Sequence, residues 1–265
     1  MKKLQRIVLF VLLAGLLAAP AVYADLIIEP RGDSFYNTHG AECDYLYRQY
    51  TANGVSGYVS FYKSPLKNTV QENVFNGETF SCSFLYTDES GAVWGGVNDD
   101  QNYSLRGWVR LSDCVAVPDY LSFAEAHRSE FISYDGAYDD ALRQADRVVL
   151  WKYPGSGVII YEADNDWFDE KGADYFSQCY RDGDGRFWAY VGYCYGIRNT
   201  WLCLSDPQST DIPADPDILP AGPELIPPAD ELPAADRGFP LLAAGLTLGV
   251  VCGTAVLIRV LFRPQ

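Results

Sequence analysis

Three hydrophobic patterns divide the chain. From Phe239 to Ile258 apolar residues run without a charged one, and a helix of that length, at about 1.5 Å per residue, spans a hydrocarbon core of about 30 Å. The pattern predicts a transmembrane helix over 239–262. Arg259 and Arg263 sit where long cations snorkel to headgroups and mark the cytoplasmic side, which leaves 263–265 as an inner tail. At the other end Met1 to Arg6 is basic, Ile7 to Ala18 apolar, and Ala19 to Ala24 mostly small. That is the pattern of a secretory signal peptide over 1–24, cut before Asp25 or, alternatively, after Ala21. An uncleaved first span is the competing reading, and the shortness of the run weighs against it. Between these ends, short aromatic and β-branched runs alternate with turn dipeptides such as Asn53-Gly54, Asn76-Gly77 and Asp184-Gly185, which predicts mostly antiparallel β structure.

The β region repeats itself. Phe80-Ser81-Cys82, Tyr86-Thr87-Asp88, Gly91 to Trp94 and Gly107 to Asp113 recur in order as Phe176 to Cys179, Tyr180-Arg181-Asp182, Gly185 to Trp188 and Thr200 to Asp206. Upstream, Tyr58 to Pro65 corresponds to Val148 to Pro154. Two copies of one module follow, at 25–118 with an N-terminal extension and at 147–206, with a connector over 119–146. Cys43 to Arg48 reads as a strand paired through the Ala52-Asn53-Gly54 turn with Tyr58 to Tyr62. Ser122 to Glu125 has the form of a capping box and predicts a short helix to about Phe131, with a helix or turn around Tyr138 to Ala145.

A strand ending in Ser64-Pro65 or Tyr153-Pro154-Gly155, the Asn76-Gly77-Glu78 step, the G-x-x-W hairpin and the closing Gly107-Trp108-Val109 resemble bacterial extracellular SH3-like (SH3b) domains. Thr200 replaces the glycine of the last motif in the second copy, which also lacks the Asn-Gly-Glu step. The plan of leader, tandem modules, Pro-rich stretch and anchor resembles membrane-anchored surface proteins of Gram-positive type. The resemblance implies a mainly β protein of two SH3-like small β-barrel modules, with a short helical connector and one transmembrane α-helix. The ligands it implies are cell-wall peptidoglycan or an extracellular peptide or protein.

Alternation along each strand puts Trp94 and Trp188 in the core. Trp108 and Trp201, in the last strand after a variable loop, are the candidate ligand contacts. Tyr62, Tyr86, Tyr153 and Tyr180 flank the loops as further candidates, with packing at the module rim as the alternative.

Charge and composition narrow the partners. The whole chain carries net −15 at pH 7, and its leader and tail are basic, so the exported part is more acidic still. Such a surface repels nucleic acid. Six cysteines lie outside the anchor (Cys43, Cys82, Cys114, Cys179, Cys194, Cys203) and Cys252 lies within it. An even exported count suggests disulfides, with Cys194 to Cys203 as a candidate and buried thiols as the alternative. The two histidines, His39 and His127, form no recognisable catalytic set; Cys43 beside His39 is the nearest to a nucleophile and base. No enzyme activity, metal or cofactor is expected, and Asp182 to Gly185 reads as a hairpin turn rather than a Ca²⁺ loop. Arg31-Gly32-Asp33 is a chance match to an integrin-binding tripeptide.

Residues 207–238 are rich in Pro and acidic residues and lack periodicity, which predicts an extended coil holding the modules off the membrane. Leu232 to Asp236 resembles a cell-wall sorting signal, but Ala235 and Asp236 stand where that motif has Thr and Gly, so retention in the membrane is the reading and sortase attachment the alternative. Gly245, Gly249 and Gly253 recur at a spacing of four, a surface that permits close helix contact in a homodimer, with small residues that meet no partner as the alternative. The sequence thus points to a single-pass, N-out, non-catalytic binding protein at the cell surface. A structural or assembly subunit is the alternative.

Overall fold

The computed structural model describes residues 29–99, 101–164, 176, 178–194 and 196–235. The predicted leader, the span 239–262 with Gly245, Gly249 and Gly253, and the tail lie outside the described residues. Among the described residues no helix is long and apolar enough to cross a membrane.

The fold is mainly β, in two antiparallel sheets. A helical turn α1 (Tyr36–His39) precedes β1 (Cys43–Ala52), β2 (Tyr58–Ser64), β3 (Lys67–Phe75), β4 (Thr79–Thr87), β5 (Val93–Asp99), β6 (Ser104–Arg110) and β7 (Cys114–Ala116). Helices α2 (Tyr120–His127) and α3 (Asp139–Gln144) lead to β8 (Arg147–Trp151), β9 (Ile159–Asp164), β10 (Cys179–Arg181), β11 (Phe187–Cys194) and β12 (Ile197–Cys203).

The first sheet runs β3-β2-β6-β5-β4-β1-β7 and the second β9-β8-β12-β11-β10. With β2 to β6 matched to β8 to β12, the five-strand order is the same. Register agrees residue by residue: Trp108 lies opposite Gly96 and Tyr62, as Trp201 lies opposite Tyr190 and Trp151. The hairpin turns agree atom by atom. Asp88 accepts from the backbone N–H of Ser90 (2.9 Å) and Ala92 (3.0 Å) and from Trp94 Nε1 (2.9 Å). Asp182 accepts from the N–H of Asp184 (3.0 Å) and Arg186 (2.9 Å) and from Trp188 Nε1 (2.9 Å). Gly91 and Gly185 take φ of +85° and +83° at the same step, where a side chain is strained. Each Asp therefore folds the turn and orients the core indole at once.

These bonds hold the Asp88 carboxyl at about 2, through the Ser90 hydroxyl first and the Trp94 indole second. The folded value lies below that of the unfolded chain, so this stabilisation is present above about pH 4 and is lost as pH falls towards 2. The melting temperature of Asp88→Asn is expected to fall below that of wild type at neutral pH, with the difference closing on acidification through that window.

β1 pairs with β4 and β7, not with β2 as the turn signal suggested. Asn76 explains why. Its Nδ2 donates to Gly54 O and its Oδ1 accepts from Gly54 N, both at 2.8 Å, while Gly77 N donates to Ala52 O at 2.9 Å. The chain leaving β1 is thus held to the β3–β4 turn and carried across the sheet. β3 and β4 stand at opposite ends of the five-strand run, yet only residues 76–78 join them. A connection that short reaches about 14 Å, so the first sheet must curl.

In the second sheet β8 and β12 bury both faces. Val148, Leu150 and Leu202 face one cluster; Val149, Trp151 and Trp201 face the other. Leu142 of α3 packs on the first face and Phe123 of α2 on the second.

The six described cysteines are free thiols. Cys194 pairs with Ile197 and Cys203 with Trp188, at opposite ends of one ladder. That is a separation of roughly 20 Å, beyond the reach of a disulfide.

Candidate functional site

The aromatic candidates assemble in two places, one on each sheet, and both are covered by the chain itself. Trp108 is fully buried, with Phe35 edge-on at 5.0 Å and Asp33 Oδ2 accepting from its Nε1 at 3.4 Å. Asp33 Oδ1 also accepts from Tyr36 N at 2.7 Å, so both carboxylate oxygens are engaged within the chain. Tyr86 is buried edge-on to Phe35 at 4.9 Å, and half-buried Tyr62 lies edge-on to Trp94 at 5.6 Å. In the second sheet Trp201 is fully buried beneath Phe123 (5.1 Å), which also meets Tyr180 (5.0 Å) and stacks on Tyr153 (5.9 Å). Trp108 and Trp201 therefore join Trp94 and Trp188 as core. Rings with no exposed surface offer nothing to a ligand, so the contact expected at Trp108 and Trp201 has no place to form.

The covering element is itself duplicated, which the sequence reading missed. Phe35-x-x-x-His39-x-x-Glu42 recurs as Phe123-x-x-x-His127-x-x-Glu130. Each Phe packs against its His, at 4.6 and 4.5 Å between centroids. Each His places Nδ1 at 3.1 Å from its Glu Oε1. A 3-10 turn follows in both, Gly40–Glu42 and Arg128–Glu130. The N-terminal extension and the connector are thus the same part of two repeats, and both histidines of the chain lie in it.

The cap of helix α2 lies three residues before the predicted one. Asp119 is its N-cap and Ser122 occupies the third helical position, closing a reciprocal capping box. The cap is tied to the first sheet. Arg48 of β1 is buried and reaches Asp119 Oδ1 (3.1 Å) and Oδ2 (3.1 Å), Ser122 Oγ (2.7 Å) and Glu125 Oε1 (3.2 Å). One helix thereby joins both sheets, by an ion pair at its start and by Phe123 at its centre.

The Pro-rich segment is not a free stalk. Residues 207–235 form a strap along both modules. On the second, Pro207 O accepts from Val149 N (2.8 Å), Ile212 is buried, Asp215 N donates to Gly155 O (2.8 Å), and Ile218 O lies 2.6 Å from His127 Nε2. On the first, Asn53 grips the backbone twice, accepting from Ile226 N (2.7 Å) and donating to Glu224 O (3.2 Å). Asn76 Nδ2 donates to Ile226 O (3.1 Å), Ala229 N to Gly57 O (2.9 Å) and Asn73 Nδ2 to Pro233 O (2.8 Å). Proline fixes the segment in an extended form at little entropic cost. Backbone-reading asparagines then supply the partners that an extended chain lacks.

Gly57 is where the strap comes closest. Its φ is +84°, and a Cβ there would stand 2.4 Å from Ala229 N. Gly57→Ala is expected to lift residues 224–233 off the first module. Limited proteolysis would then cut within 224–233 of the folded variant and spare wild type.

Cys43 and His39 do not form a nucleophile and base. The Cys43 thiol lies 3.4 Å from the His39 carbonyl oxygen, and burial with the neighbouring Glu42 pushes it up to about 11. Asp182 to Gly185 form the hairpin turn described above. Among the described residues no group of three or more His, Cys, Asp or Glu side chains is placed to hold a metal ion. No family model matches the chain, and neither a curated protein nor a solved structure matches it.

Proposed function

We propose that the chain is a membrane-anchored, extracellular, non-catalytic binding protein. Its two modules, SH3-like small barrels, take extended peptide, either peptidoglycan stem peptide or a segment of an extracellular protein. The observation that carries this reading is the chain's own Pro-rich segment, seated on the first module through its backbone by Asn53, Asn73 and Asn76. A surface that reads main-chain N–H and C=O groups accepts many sequences of the same extended shape. Placement outside the cell rests on the leader over 1–24 and the membrane helix over 239–262 read from the sequence. The second reading, an assembly subunit without a ligand of its own, is favoured by the same strap, because it already fills that seat.

The two readings part when the strap is loosened without touching the seat. Ile226→Pro with Ala229→Pro removes two strap donors. The full-length variant in detergent micelles is expected to retain purified peptidoglycan or an immobilised peptide of residues 222–234 more strongly than wild type. Retention of neither ligand by either protein overturns the binding reading in favour of the assembly subunit.

A further inference from the structure

The two repeats differ in what lies against the histidine. In the second, His127 Nε2 meets the carbonyl of Ile218 at 2.6 Å, and the strap continues over the β8–β9 loop. There a Cβ on Gly155 would meet Asp215 and Ile218 at 3.2 Å, and one on Gly157 would meet Ala214 at 2.8 Å. In the first repeat His39 has the same Phe partner, the same Glu partner and the same place beside the buried aromatics. Among the described residues, however, its ring makes a hydrogen bond through Nδ1 and none through Nε2. Its side chain is 27% exposed, against 14% for His127. Among the described residues the strap has by then left for the Asn53 seat.

We propose that the first module carries an open copy of the His127 seat, and that it takes an extended, proline-containing acidic peptide from a partner. This rests on the reading of the modules as peptide-binding units and names the surface available without displacing the strap. His39 Nε2 donates to a peptide carbonyl, as His127 does to Ile218. The β2–β3 loop, equivalent to the glycine loop under the strap, presents Leu66, 57% exposed, between exposed Lys63 and Lys67. Leu66 supplies apolar surface for an aliphatic side chain in the role of Ile218. The two lysines suit acidic residues such as Asp215 and Asp217, which accompany Ile218 in the occupied seat.

The chain has two histidines, so full-length protein labelled with ring-¹³C histidine in micelles gives two imidazole signals. A synthetic peptide of residues 210–221 is the probe. The His39 signal is expected to shift on titration while the His127 signal stays. His39→Phe keeps the ring packing, removes the donor, and is expected to weaken binding at least about tenfold. Lys63→Glu with Lys67→Glu, which leaves the ring in place, is expected to weaken it as well. A shift of the His127 signal alone means exchange with the strap, which overturns the open seat and leaves the peptide-binding reading standing. No shift in either signal at about 1 mM peptide, or undiminished binding by His39→Phe, also overturns the proposal. Self-association without peptide that His39→Phe abolishes would assign the seat to a second copy and overturn it equally.

Discussion

Phe123→Ala is expected to lower the stability of the folded chain by about 3–5 kcal/mol, the range for removing a large buried aromatic. Phe123 is fully buried and lies against the rings of Trp201, Tyr180, Tyr153 and His127. Its loss leaves a cavity walled by side chains from β10, β12, the β8–β9 loop and α2, and aromatic rings collapse poorly into such a space. The strap feels the loss as well, because His127, packed against Phe123, contacts Ile218. Chemical denaturation followed by tryptophan fluorescence measures the change. Phe123→Leu, which refills part of the volume, should recover a good part of it. An effect below about 1 kcal/mol would mean that α2 is an exposed connector after all.

The second large effect is expected from Arg48→Met. The guanidinium is buried, hydrogen-bonds to Asp119 Oδ1, Glu125 and Ser122, and makes an ion-pair contact with Asp119 Oδ2. Breaking such a group from one side costs about 3 kcal/mol, because the desolvated acceptor stays behind. Asp119 keeps its bonds to Ser122, so α2 survives as a helix but loses its hold on β1. We expect the single denaturation transition to split into two, since one of the two ties between the sheets along this helix is gone. Asp119→Asn in the same background should add little, because the two residues act as one unit. A single, unshifted transition would place the coupling between modules in the strap alone.

Much of the fold was legible because duplication amplifies weak signals. One Asp-x-x-Gly-x-x-Trp turn is an ordinary hairpin; two in corresponding places predicted equivalent strands, and the registers of Trp108 and Trp201 agree with that alignment. The pairing of β1 was not legible. Asn53-Gly54 has the composition of a two-residue hairpin, and only the long-range grip of Asn76 on Gly54 redirects the chain. Helix α2 was placed three residues late because Ser122 fits both the cap and the third position of a capping box.

The Phe-x-x-x-His-x-x-Glu pair was visible in principle, since both histidines of the chain belong to it. It was hidden by its neighbourhood, with an Arg-Gly-Asp tripeptide before one copy and a connector around the other. The strap was misread for a physical reason. Composition without periodicity says that a segment buries no core of its own, but it does not say whether a neighbouring surface will satisfy its backbone. Here Asn53, Asn73 and Asn76 do so, and three asparagines far from the segment in sequence announce nothing about it.

The central claim is that residues 207–235 are bound to the modules as a peptide ligand would be. Amide hydrogen exchange of Asp215, Ile226 and Ala229 tests it most directly, because each donates one of the bonds described. We predict slow exchange at all three, comparable with amides of β5 and β12. Exchange at the rate of a free coil would contradict the account.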